Sequence, residues 1–303
     1  MKNAIRQEAA RLGFEACGFA AASPVSRAAE AQYAQWLREG KHGCMRWAEN
    51  HTAMRNDPAL LLPGARTIVC VALNYFPAEF QAQDAPQVAY YAYGRDYHEV
   101  LREKLTALAE FIQQMGGGEA RPCVDSAPLR ERYWAQRAGI GFIGRNNCLI
   151  IPGKGSFFFL GEVLTTASIA PDEPCTQTCP SSCHRCADAC PTGALTVGGG
   201  AVDANKCLSC LLIENHDDAL PQWAHRAAGN RVVGCDECQR CCPYNAHATP
   251  TAVADFTMTE FVKNLSYQQI DTMSNGDFRR ATAHSAIARL RNIRTLRRNS
   301  SSH

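Results

Sequence analysis

Apolar positions switch between two periods along the first 170 residues. Ile5, Ala9 and Leu12 recur at helical spacing and predict a helix over Lys2–Leu12; a second is expected over Arg27–Arg38. Arg66–Leu73 (Arg-Thr-Ile-Val-Cys-Val-Ala-Leu) is a continuous β-rich run, as expected of a strand buried on both faces. Ala16–Ala20, Glu119–Val124, Cys148–Ile151 and Phe157–Leu164 are further strand candidates. His98–Met115 predicts a long amphipathic helix stopped by Gly116-Gly117-Gly118, and Pro128–Ala138 a shorter one. Alternation of this kind argues for an α/β domain. The proline-bounded stretch Pro171–Pro174 breaks the pattern, and after Pro250 the chain turns helical again. Three segments are therefore expected: 1–172, 173–250 and 251–303. Ser300–Ser302 reads as a polar chain end.

At 303 residues the chain is long enough for two domains and a substantial core. Its N-terminus, Met-Lys-Asn-Ala-Ile-Arg-Gln-Glu, has neither the apolar run nor the cleavage site of a signal peptide. Thr67–Tyr75 and Phe157–Leu164, the longest apolar stretches, are too short to cross a bilayer. A soluble, cytoplasmic protein without a membrane partner is expected. The formal charge of +2 says nothing about partners.

Cysteine content changes this picture. Sixteen cysteines in a chain without an export signal point to metal binding rather than to disulfides. Eleven of them lie between Cys175 and Cys242; Cys17, Cys44, Cys70, Cys123 and Cys148 are scattered and read as small buried side chains. A bacterial ferredoxin run is Cys-x2-Cys-x2-Cys-x3-Cys-Pro, whose fourth cysteine ligates the other cluster. Cys183-x2-Cys186-x3-Cys190-Pro191 matches its last three ligands and the proline. The first ligand would fall at Pro180, so Cys179, one residue earlier, takes the part, with Cys175 as the fallback. Cys207 followed by Cys235-x2-Cys238-x3-Cys242-Pro243 forms the second half. The crossing rule then assigns Cys179, Cys183, Cys186 and Cys242 to one 4Fe–4S cluster, and Cys190, Cys207, Cys235 and Cys238 to another. Cys210 and Cys241 are surplus, although Cys210 could replace Cys207. Zinc is the competing occupant, because paired Cys-x2-Cys motifs also build zinc ribbons; two Cys-x3-Cys-Pro endings favour clusters.

Outside the cysteines, Asp125 ends a strand candidate and precedes Pro128 and a helix. It is either a group facing a cleft or the N-cap of that helix. Tyr97 and His98 open the long helix, facing either a pocket or solvent. Arg279 to Arg298 contains seven arginines and no acidic residue. That stretch is a phosphate-binding surface or a solvated helix face.

The chain resembles the epoxyqueuosine reductases. The likeness runs from near the N-terminus to about Asn292. It is carried by Gly94-Arg95-Asp96-Tyr97-His98, by Val124-Asp125-Ser126-Ala127-Pro128 with Glu131-Arg132, and by Ala135-Gln136-Arg137-Ala138-Gly139-Ile140-Gly141-Phe142-Ile143-Gly144-Arg145-Asn146. Asp188-Ala189-Cys190-Pro191-Thr192-Gly193-Ala194, Asp203-Ala204-Asn205-Lys206-Cys207-Leu208-Ser209, Gly229-Asn230-Arg231 and Gly234-Cys235-Asp236-Glu237-Cys238-Gln239 complete it.

The resemblance implies an α/β cobalamin-binding domain related to that of reductive dehalogenases (1–172), joined to a ferredoxin-like domain with two 4Fe–4S clusters (173–250) and a short helical, basic tail (251–303). It implies an oxidoreductase that reduces epoxyqueuosine to queuosine at the wobble position of tRNA, the last step of queuosine biosynthesis. The partners implied are tRNA and an external one-electron donor of flavodoxin or ferredoxin type, with the chain as a monomer. By the same resemblance Asp125 is the proton donor; an apolar surround would raise its pKa and keep it protonated near neutral pH. Arg55, Leu149, Leu160 and Ser209 line the corrin with it. The sequence departs from the family at Cys210, where an aromatic residue is usual, in the extra residue after Cys179, and in lacking a C-terminal helical-repeat domain. Two other functions fit the cysteines: a reductive dehalogenase-like enzyme, which usually carries a twin-arginine export signal, and a plain ferredoxin-type electron carrier.

Overall fold

The computed structural model describes residues 1–300. The chain opens with α1 (Lys2–Arg11), β1 (Ala16–Ala21), α2 (Arg27–Arg38) and α3 (Thr52–Asn56), followed by β2 (Thr67–Asn74). After the short β3 (Gln87–Val88) come α4 (Tyr97–Gln114), β4 (Ala120–Cys123) and α5 (Glu131–Arg137). A small hairpin, β5 (Phe142–Ile143) with β6 (Leu149–Ile150), precedes β7 (Phe158–Thr165). The expected elements are present to within a residue or two, except that α5 begins at Glu131 rather than near Pro128.

β1, β2, β7 and β4 form one sheet in that order, and every neighbouring pair is antiparallel. All eight residues of β2 are buried, as its unbroken apolar run demands. Successive side chains of a strand point to opposite faces. Val69, Val71 and Leu73 therefore pack with Ile5 of α1 and with Leu101, Leu105 and Leu108 of α4. Ile68, Cys70 and Ala72 pack on the other face with Trp134 and Ala135 of α5. The approach of α5 to β1 requires a glycine, since a Cβ on Gly18 would overlap the Ala138 carbonyl.

Short helices make up the cysteine-rich region: α6 (Arg185–Asp188), α7 (Leu208–Ile213), α8 (Gln222–Ala228) and α9 (Glu237–Arg240), with β8 (Arg231–Val233) between the last two. β8 pairs in parallel with β3, so the cysteine-rich region and the first domain share a two-stranded sheet. The tail contributes α10 (Glu260–Lys263), α11 (Tyr267–Thr272), α12 (Asn275–Ala281) and α13 (Ile293–Ser300). Leu296 of α13 shares a core with Val88, Tyr93, Val232 and Val233. The Asn299 amide donates to the carbonyls of Leu212 and Val232, both at 2.8 Å. Ser300 ends α13 in a buried position, and the rest of the expected polar end, Ser301 and Ser302, lies outside the described residues. Among the described residues no helix is long and apolar enough to cross a membrane.

Candidate functional site

Asp125 sits just beyond β4. The register Cys123↔Glu162 places it level with the start of β7, where Leu160 lies. It is not an N-cap, because α5 is preceded by Arg130. Its φ of 21° is strained for a residue with a side chain. The Asp125 backbone N–H donates to Glu131 Oε1 at 2.7 Å, which holds the loop. The carboxylate is half open to solvent, its side chain 51% exposed.

His98 occupies the first turn of α4, whose N-cap is Asp96. Its Nδ1 lies 2.6 Å from Asp96 Oδ1 and its Nε2 2.8 Å from Asp125 Oδ2. Tyr97 stacks on Phe159 at 4.3 Å and on His98 at 4.0 Å. Arg289, from the tail, brings Nη2 to 3.0 Å from His98 Nε2. Tyr97 and His98 thus face the site rather than solvent, and His98 is one of the buried residues.

The charges are set by this arrangement. Burial alone would raise the Asp125 pKa, but the hydrogen bond and charge of His98, helped by Tyr97 and Arg289, outweigh it and hold the carboxyl below its usual range. Burial would lower His98, yet its two carboxylate partners raise it. The expected effect of burial is therefore present but outweighed: His98 holds the Asp125 carboxyl in its ionised form, and the two carboxylates in turn favour the charged form of His98. Glu131 behaves differently. Burial, then the negative charge of Asp125, pushes it up to about 8. Behind it, Glu162 is fully buried on β7 with neither carboxyl oxygen hydrogen-bonded among the described residues. Burial first, and Glu131 second, raise its pKa well above the ordinary value. Two neutral carboxyl groups thus stand behind one ionised carboxylate.

Cys179, Cys183, Cys186 and Cys242 line a single cavity together with Arg145, Asn146, Ile150 and Tyr244. The Arg145 backbone N–H donates to Cys179 Sγ at 3.4 Å. Cys175 does not line this cavity, and Cys241 turns away to donate to the Arg185 carbonyl at 3.5 Å. On the other side of the module, Cys207 lies close enough to Cys190, Cys235 and Cys238 for their charges to interact. Burial would raise the Cys190 thiol, but N–H groups of Thr192, Leu195 and Ala194 outweigh it and favour the thiolate. Cys210 is engaged elsewhere, in contact with Cys44. The donor set, two groups of four sulfurs in which backbone N–H groups reach Cys179 and Cys190, fits the chemistry of iron–sulfur clusters.

Leu149 and Leu160 fall in one core at 5% and 9% exposure. Met54, Ala127, Tyr133 and Phe158 pack around that core and are only partly covered. Arg55, on α3, lays its guanidinium over the Trp47 ring at 5.4 Å. Ser209 is half-buried in α7. Trp47 Nε1 donates to Glu214 at 3.2 Å, which ties the segment leading to α3 to the end of α7. Among the described residues neither Arg55 nor Ser209 hydrogen-bonds Asp125. An apolar wall left partly open, with Ala127 two residues from the Asp125 carboxylate, fits the flat apolar face of a macrocycle.

The tail departs from expectation. Arg298 is buried and donates to the carbonyls of Asn215 and Asp217 at 2.9 and 2.7 Å. Arg297 donates to the carbonyls of Ile270, Asp271 and Met273. Both arginines hold the fold rather than offering charge to a phosphate. Arg279, Arg291 and Arg294 remain exposed. Arg289, one of the arginines of the basic run, belongs to the proton site. Nothing in its local sequence signals that, since His98 lies 191 residues away.

Comparison with known proteins places these features. A family model described as epoxyqueuosine reductase QueG matches residues 55–126, and one described as a 4Fe-4S double cluster binding domain matches residues 178–245. A curated relative from Gloeobacter violaceus, named epoxyqueuosine reductase, is 40% identical over 306 residues, covering 98% of this chain and 94% of its own. A crystal structure of an epoxyqueuosine reductase with an epoxyqueuosine-modified tRNA-Tyr stem loop superposes with a TM-score of 0.88 at 30% identity, over 99% of this chain and 79% of that one. A Bacillus subtilis epoxyqueuosine reductase, with its catalytic aspartate loop swung out of the active site, matches at 0.86 and 30%, over 99% and 79%. A reductive dehalogenase in complex with 3-bromo-4-hydroxybenzoic acid matches at 0.51 and 15%, over 98% and 37%, a likeness of fold alone.

Proposed function

The chain belongs to the epoxyqueuosine reductase family, and on that premise we propose that it reduces epoxyqueuosine to queuosine at the wobble position of tRNA. The observation that carries this reading is the Asp125–His98–Asp96 chain at the open end of the sheet, next to a partly uncovered apolar wall. Removing the epoxide oxygen as water takes two electrons and two protons, so the site must hold protons close to the substrate and receive electrons from within the chain.

Cys179, Cys183, Cys186 and Cys242 would hold one 4Fe–4S cluster; Cys190, Cys207, Cys235 and Cys238 would hold the other. The clusters, when bound, pass single electrons inward from an external donor of flavodoxin or ferredoxin type. Leu149, Leu160, Arg55 and Ser209 would bound a cobalamin, with Asp125 at its edge. Cobalamin, when bound, supplies a reducing metal next to the substrate carbon.

The chain's own residues manage the protons. Asp125, the catalytic acid, faces the opening; it takes its proton from His98 Nε2, 2.8 Å away, and delivers it to the leaving oxygen. Asp96 fixes the imidazole orientation through Nδ1. Glu131, neutral until about pH 8, stands beside the Asp125 backbone as the nearer of two stored protons. Arg279, Arg291 and Arg294 present the exposed positive charge available to a tRNA backbone. The family resemblance further implies a cytoplasmic monomer.

The test is incubation of reconstituted protein, a one-electron reductant and tRNA containing epoxyqueuosine, followed by nucleoside mass analysis. Conversion with loss of one oxygen atom is the expected result. Intact epoxide after incubation with fully loaded protein would overturn the reading.

A further inference from the structure

Cys44 and Cys210 are not needed by either group of four cysteines, yet their sulfurs lie 3.6 Å apart. That is a van der Waals contact between two thiols, roughly 1.5 Å longer than a disulfide bond. The partners differ in access. Cys44 is exposed, in the turn after α2, whereas Cys210 is 7% exposed within α7. An accessible thiol backed by a buried one is the arrangement of an attacking cysteine and its resolving partner. The Cys210 thiol beside it favours the Cys44 thiolate, the form that attacks.

The surroundings allow the sulfurs to close on one another. Gly40 and Gly43 precede Cys44 at φ 63° and 59°, and the missing Cβ of Gly43 lets the turn sit close against the backbone of Ala204 and Asn205. It is already docked on the cysteine-rich region. Lys41 accepts from the Ala204 N–H at 2.8 Å, the Gly40 carbonyl accepts from the Asn205 amide at 2.8 Å, and the Trp36 indole donates to the Val202 carbonyl at 2.8 Å. These contacts hold Cys44 over α7 without a covalent link.

We infer that Cys44 and Cys210 form a reversible dithiol–disulfide pair, an oxidation site that fastens the segment before α3 to the helix carrying Ser209. The oxidant is a hydroperoxide. With hydrogen peroxide, the Cys44 sulfur takes one oxygen as S–OH while the O–O bond breaks and one water leaves. The Cys210 thiol then attacks that sulfur, the S–S bond forms, and a second water leaves. Two thiols give up two electrons and two protons, and the peroxide is reduced to two waters. An external dithiol reverses the step by exchange.

The experiment uses the cluster-loaded full chain, treated with equimolar hydrogen peroxide, denatured in an alkylating reagent and mapped by peptide mass spectrometry. The expected product is a cross-linked species joining the Cys44 and Cys210 peptides, lighter by about 2 Da than the two thiol peptides together and cleaved by dithiothreitol. C44S lies on an exposed turn and should keep its iron content and cluster absorbance while losing the cross-link. Both cysteines remaining alkylatable, or Cys44 joined to a different cysteine, overturns the inference. So does a C210S protein that folds but loses half its iron, which would make Cys210 a cluster ligand.

Discussion

Cys179, Cys183 and Cys186 come from one loop and are joined by one distant residue, Cys242. The proton site, by contrast, draws Asp96 and His98 from the start of α4, Asp125 from the end of β4, Glu131 from α5 and Arg289 from the tail. Three members of the first group are encoded as spacing within one loop, and only Cys242 has to be brought to them. The second exists only when the sheet, two helices and the tail have all found their places. The cysteine groups are thus the more local of the two sites, and the proton site the more global.

That contrast predicts how each region breaks. Cys183→Ala should abolish turnover and lower the iron content from about eight atoms to about four. If the iron stays near eight, the cysteines lining the cavity are not the ligand set. Asp125→Asn should leave iron and cobalamin binding intact while turnover falls by about 10²–10⁴-fold, the usual contribution of a positioned acid.

His98→Gln should cost less, about tenfold, and should change the pH profile. The folded pKa of His98 lies above its ordinary value, so its proton is retained at low pH and released as pH rises through the raised value. Wild-type turnover should accordingly fall on the alkaline side. In the variant the limb due to His98 should vanish, leaving that of Glu131 near 8. An unchanged profile would separate His98 from the chemistry. The same pair bears on stability: the share from His98 fades as pH rises, and that from Asp125, whose pKa is depressed, fades as pH falls.

The smallest effects divide the tail. Arg298→Ala leaves buried carbonyls unpaired and should lower unfolding stability by about 1–3 kcal/mol, read from a denaturant midpoint, with tRNA affinity unchanged. Arg294→Ala should keep stability within about 0.5 kcal/mol and reduce the salt slope of tRNA binding by about one.

The two regions also differ in how legible they are. The strands and long helices follow from apolar period, and β2 is buried throughout because its sequence leaves no polar side to expose. Spacing leads to the expectation of two groups of four cysteines, with Cys175 and Cys210 as alternatives; the structure puts Cys179 rather than Cys175 in the first cavity and Cys210 against Cys44. Asp125 was legible only through its family match, and its charge was misread. An apolar surround was expected, but charge state depends on neighbours that the fold supplies. His98 is two residues from its helix cap and 27 from Asp125, and only packing reveals which partner matters. The arginine run shows the limit most plainly: composition makes its members equal, while the fold gives Arg298 to carbonyls, Arg289 to the imidazole and Arg294 to solvent.

Arg289 has a consequence for the order of synthesis. A ribosome delivers the sheet and every cysteine of both groups before it delivers residue 289. A growing chain therefore holds every cysteine of both groups while its imidazole still lacks the guanidinium 3.0 Å from Nε2. The proton site is finished last, and the same late segment also clamps the cysteine-rich region through Arg298 and Asn299, so a chain that stalls short of the tail has all its sulfurs in hand and neither site complete.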